Sequence, residues 1–84
     1  STLMSHILIA EDETRIASFV EKGLRSHGYT TSIISDGLEV PDLVHAGNFD
    51  LLILDLGLPG KDGLRVLEEL RGQGENLPII ILTA

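Results

Sequence analysis

The 84-residue sequence predicts a three-layer α/β fold built on a parallel sheet of strand order 2-1-3-4. Three observations lead there. Short apolar runs alternate with amphipathic stretches in the order β-α-β-α-β-α-β. Three of the four runs are aliphatic enough to be buried on both faces, whereas the second is polar and belongs at an edge. Right-handed crossovers then place the first helix on one face and the next two on the other, with the ends of strands one and three side by side.

The first strand is His6-Ile7-Leu8-Ile9-Ala10, which ends abruptly in Glu11-Asp12-Glu13. Ile16, Phe19, Val20 and Leu24 follow at helical spacing, with Arg15, Glu21, Lys22 and Arg25 on the opposite side. Ser26-His27-Gly28 stops this helix, Gly28 serving as a left-handed cap. Tyr29 to Ile34 is the polar second strand, and Ser35-Asp36-Gly37 is turn chemistry. Leu38, Val40, Leu43 and Val44 mark a second helix. Its Pro41 fits in the first turn, where a missing N–H costs nothing, and Gly47-Asn48 ends it. Asp50-Leu51-Leu52-Ile53-Leu54-Asp55 is the third strand, buried on both faces. Leu64, Leu67 and Leu70 are expected to pack a third helix onto the core, closed by Gly72-Gln73-Gly74. Pro78 to Ala84 reads as a fourth buried strand. Ser1-Thr2-Leu3 precede Met4 and are read as an addition outside the domain, which is expected to span residues 4–84.

Bulk composition narrows the function. A net charge of -7 argues against this segment gripping nucleic acid or an anionic membrane. No apolar run reaches the ~20 residues of a membrane span, and the N-terminus lacks a signal-peptide pattern. With no cysteine there is neither a disulfide framework nor a thiolate metal site, which fits the cytoplasm. With two Phe, one Tyr and no Trp, the core must be aliphatic.

The predicted sheet gathers Glu11, Asp12 and Asp55 at one edge. Packing explains none of them. For Glu13 a place in the first helical turn, favouring the helix dipole, is the simpler reading. Crowded carboxylates need a cation, and an oxygen-only ligand set without His or Cys selects a hard ion, Mg²⁺ above all. A carboxylate can also attack phosphorus. Thr83 ends the strand beside the third, so its hydroxyl is placed to meet a phosphoryl oxygen, and Ala84 is small enough to leave room. His6, His27 and His45 are scattered over different elements and are read as surface or boundary residues. Gly57 to Lys61 is no phosphate-binding P-loop, because Asp55 and Asp62 stand where that motif needs Gly and Ser or Thr. No G-x-G-x-x-G follows the first strand.

These residues resemble the receiver domain of two-component response regulators. Glu11-Asp12 match the family's acidic pair, Asp55 its phosphoacceptor, Leu58-Pro59-Gly60-Lys61-Asp62-Gly63 the loop that follows, and Thr83-Ala84 its Thr/Ser-Ala step. The resemblance runs from Met4 to Ala84. It implies a flavodoxin-like fold in which Asp12, Asp55 and the Gly57 carbonyl bind Mg²⁺, with Glu11 acting mostly through water, and Thr83 reorients on phosphorylation. It implies a histidine kinase as phosphodonor. The first helix and the Asp55–Gly63 stretch look like those of regulators with a winged-helix DNA-binding half, which implies a DNA-binding output domain in the parent chain. Family members continue through a further helix, strand and helix. Their phosphoryl-pairing Lys follows that strand and their aromatic switch lies on it; neither falls within the 84 residues, and Lys61 aligns to the loop instead.

Two other readings compete. A Mg²⁺-dependent phosphohydrolase with an Asp nucleophile would need a second Asp where Gly57 stands. Alternatively, the chain is a non-signalling piece held together by association. On that reading the apolar faces of strands three and four stay uncovered, and the open edge of strand four draws in a second copy to give a homodimer or larger assembly.

Overall fold

A computed structural model describes residues 5–83. Four parallel strands, β1 (His6–Ala10), β2 (Thr30–Ile34), β3 (Leu51–Asp55) and β4 (Ile79–Leu82), form one sheet of order β2-β1-β3-β4. The helices are α1 (Thr14–Ser26), α2 (Val40–Ala46), preceded by a single 3-10 turn at Gly37–Glu39, and α3 (Gly63–Gly72). The predicted fold class and strand order are those observed.

Alternation along the strands splits the core between two faces. Leu8, Ala10, Leu52 and Leu54 meet Val40 and Val44 of α2 and Val66 and Leu70 of α3 on one face. Ile7, Ile9 and Ile53 meet Val20 and Leu24 of α1 on the other. β2 is an edge strand with a largely half-buried pattern, as its Thr30-Thr31-Ser32 sequence requires. Caps set the helix limits. Asp62 accepts from the Arg65 N–H at 3.0 Å to start α3, Gly28 takes a left-handed φ of 90° after α1, and Pro41 lies in the first turn of α2.

Several packing expectations need correction. Phe19 is 80% exposed and Ile16 also faces solvent, because α1 lies on the sheet through Ala17, Val20 and Leu24. Leu64 is exposed, and the line of α3 that enters the core passes through Gly63, Val66 and Leu70. Leu38 belongs to the 3-10 turn and points outward. Among the described residues β4 is not a buried strand but the second edge, with Ile80 and Ile81 exposed. β3, by contrast, is covered on both faces, with Leu52, Ile53 and Leu54 all buried, so only β4 fits the expected uncovered surface.

Candidate acidic site at the carboxyl edge of the sheet

Register brings the acids together. Ala10 pairs with Leu54, so Glu11 and Asp55, each one residue further on, stand level at the ends of adjacent central strands. Asp55 pairs with Leu82, so Thr83 lies one step beyond it on the outer side. The Glu11 N–H donates to the Ile34 carbonyl at 3.0 Å, prolonging the β1–β2 ladder past the last paired residues. One carboxylate oxygen from each of Glu11, Asp12 and Asp55 lies within 4.8 Å of the other two. Glu11 is buried, Asp55 half-buried and Asp12 exposed. They open into a cleft of about 360 Å³ whose wall includes Gly57 and Thr83. Glu11, Asp12, Asp55, Gly57 and Thr83 are therefore neighbours, as expected from sequence; Ala84 lies outside the described residues.

Hydrogen bonds orient the carboxylates without neutralising them. Glu11 Oε2 accepts from the Glu13 N–H at 2.9 Å, and Asp55 Oδ1 from the Gly57 N–H at 3.1 Å. Burial lifts the Glu11 carboxyl above its ordinary pKa of 4.5, against the lowering effect of the Glu13 N–H, and the charge of Asp55, its hydrogen bonding and the charge of Asp12 lift it further. Among the described residues both ion pairs lie elsewhere: Arg25 with Glu21, and Lys61 with Glu69. Lys61 is thus held against α3. Three oxygen donors with no basic side chain among their ion pairs suit a hard divalent cation.

The cleft also contains residues the sequence reading placed elsewhere. Glu13 is not in the first turn of α1 but at its N-cap, without a capping hydrogen bond from its side chain, and it lines the cleft with Ile16 and Leu82. Its position directly after Asp12 was the available signal. The three histidines are outside the cleft: His27 and His45 are exposed, and His6 hydrogen-bonds Ser32 at 2.9 Å and packs against Phe49.

A parallel α/β sheet of this order with an acid cluster at its carboxyl edge defines a receiver-like signalling domain. The chain belongs to the response regulator receiver domain family, whose model matches residues 7–84. It is 40% identical over 78 residues to the transcriptional regulatory protein TctD of Salmonella typhimurium, covering 93% of this chain and 35% of that protein. It is 41% identical over 78 residues to the response regulator PmrA of Pseudomonas aeruginosa, with the same two coverages. The chain therefore spans about a third of the length of these relatives. Among solved structures, the receiver domain of the Francisella response regulator 1452 superposes with a TM-score of 0.91 at 35% identity, covering 95% of this chain and 66% of that one. Response regulator TrrA of Thermotoga maritima, solved in complex with Mg²⁺–BeF, superposes with a TM-score of 0.90 at 37% identity, covering 96% and 70%. No helix among the described residues is long and apolar enough to cross a membrane.

Proposed function

We propose that Asp55 is the phosphoacceptor of this receiver domain and that it takes its phosphoryl group from a histidine kinase. The observation that carries this is the half-buried Asp55 carboxylate at the carboxyl end of a central strand, with oxygens of Glu11 and Asp12 within 4.8 Å. In the transfer an N–P bond of the donor phosphohistidine breaks, a P–O bond to the Asp55 carboxylate forms, and the imidazole leaves with the electron pair and takes up a proton. Asp12, Asp55 and the Gly57 carbonyl would hold Mg²⁺, with Glu11 contributing mostly through water. When bound, Mg²⁺ supplies the positive charge that offsets repulsion between the carboxylates and the phosphoryl oxygens. The Gly57 N–H fixes one oxygen of Asp55, leaving the other for attack. Thr83, on the wall of the same cleft, is the switch whose hydroxyl donates to a phosphoryl oxygen.

The domain spans residues 4–84 and acts in the cytoplasm as part of a longer regulator with a DNA-binding output domain, a reading supported by its similarity to the transcriptional regulatory protein TctD. Incubation with a small phosphodonor and Mg²⁺ tests the assignment. Stoichiometric labelling lost in Asp55→Asn is expected, whereas sustained turnover of phosphomonoesters would favour the phosphohydrolase reading.

A further inference from the structure

We propose that the Asp36–Gly37 turn is a positioning element for the loop that follows Asp55, acting by interlocking with Gly60 and Lys61. The inference rests on Asp55 being the phosphoacceptor and concerns residues that do not line the acidic cleft.

The two loops meet backbone to backbone. The Gly37 N–H donates to the Pro59 carbonyl at 2.9 Å, and the same carbonyl accepts from the Lys61 N–H at 3.0 Å. Gly37 is buried, and a Cβ there would sit 1.7 Å from the Lys61 carbonyl oxygen, where real Cβ atoms essentially never come closer than 3.0 Å. The obstacle is main chain, so the loop itself would have to withdraw by more than an ångström. From the other side, Gly60 has a φ of +81°, and a Cβ on it would meet Asp36 Oδ1 at 2.1 Å. That oxygen already accepts from the Leu38 N–H at 2.8 Å, so it cannot turn away without uncapping the 3-10 turn. Each glycine is thus required by the opposite loop.

The consequence is felt at Gly57. Leu58 is anchored in the core and the far end of the loop is clasped by Asp36–Gly37, so the exposed Gly57 peptide between Asp55 and Leu58 has little freedom. This peptide donates to Asp55 at 3.1 Å. A misplacement of about 1 Å at a reacting group costs up to about 10²-fold in rate. The clasp therefore sets the orientation of the Asp55 carboxylate from the opposite end of the loop.

The test compares Gly37→Ala, Asp36→Ala and Asp36→Asn with wild type. The readouts are the labelling rate with a small phosphodonor, the Mg²⁺ dependence of that rate, and the Gly57 amide resonance by NMR. Gly37→Ala is expected to slow labelling at least tenfold and shift the Gly57 resonance. Asp36→Ala should do so to a lesser degree, and Asp36→Asn, which keeps the accepting oxygen, should restore both. If Gly37→Ala does not fold, the contrast between Asp36→Ala and Asp36→Asn decides. Variants that label at the wild-type rate with an unmoved Gly57 resonance overturn the inference, as does slowed labelling in Asp36→Ala that Asp36→Asn fails to restore. Failure of wild type itself to label, or labelling that survives Asp55→Asn, overturns the phosphoacceptor reading instead.

Discussion

Neutralising Asp55 should stabilise the metal-free chain and blunt its response to Mg²⁺. Asp55 lies within 4.8 Å of a carboxylate oxygen on each of two other acids. At that separation one pair of like charges repels by about 0.9 kcal/mol in bulk water and by about 3.5 kcal/mol at an effective dielectric of about 20. Asp12 is exposed and screened by water, so the relief falls toward the lower figure, about 1–2 kcal/mol in all. Asn retains the oxygen that accepts from the Gly57 N–H, so no hydrogen bond need be lost. For a domain of this size that is a rise in melting temperature of about 5–10 °C in chelator. At a Mg²⁺ concentration about ten times the Kd, wild type should gain about 1.4 kcal/mol, while Asp55→Asn, having lost a ligand, gains much less. Thermal unfolding followed by far-UV circular dichroism, with and without Mg²⁺, measures both effects. An Asp55→Asn chain that melts below wild type in chelator, or that responds to Mg²⁺ equally, would refute the reasoning.

Two further outcomes follow from the same structure. The folded chain holds the Glu11 carboxyl above 4.5, chiefly by burial, so it retains a proton that the unfolded chain has released. The stability tied to that proton is full below the unfolded value and is lost as pH rises through the raised folded value. Urea unfolding in chelator should show wild type losing stability relative to Glu11→Gln as pH climbs from about 4.5 toward neutrality; a difference that stays constant would contradict it. Among the described residues β4, Ile79–Leu82, is an edge strand that carries no charge and exposes Ile80 and Ile81, and such an edge is a template for a second copy. Sedimentation should find wild type as a dimer or larger assembly and Ile80→Lys shifted to monomer, and a compact wild-type monomer would remove the basis for this.

The sheet was legible because its burial is uneven. Thr30, Thr31 and Ser32 mark β2 as an edge, the aliphatic runs mark β1 and β3 as central, and handedness leaves one order for what remains. Which part of each helical stripe meets the sheet was less legible. Ile16, Phe19, Val20 and Leu24 form one apolar stripe on α1, yet the sheet covers only the side with Ala17, because periodicity reports that a face exists and not where its centre falls. Leu64 misled for the same reason: Gly63 and Val66 carry no leucine-like signal but lie on the line that α3 buries. The β4 run looked buried because its aliphatic character reports an affinity for cover, whereas cover itself comes from neighbours. The clasp between Asp36–Gly37 and Gly60–Lys61 had only local turn chemistry as its signal, since the contact joins loops far apart in the chain.

The acid cluster was legible for the opposite reason, as the place where packing fails to explain the residue types. Leu8, Ile9, Ala10, Leu52 and Leu54 are essentially without solvent exposure, so the ends of β1 and β3 cannot move apart to relieve the charges they carry. Each acid meets the repulsion in its own way. Glu11, buried, retains its proton to higher pH; Asp12, exposed, is screened by water; Asp55, between these extremes, accepts the Gly57 N–H. Only Asp55 combines a rigid strand end, partial access to solvent and a backbone donor on one oxygen. Those properties set Asp55 apart from Glu11 and Asp12, and they suit the carboxylate nucleophile proposed for it.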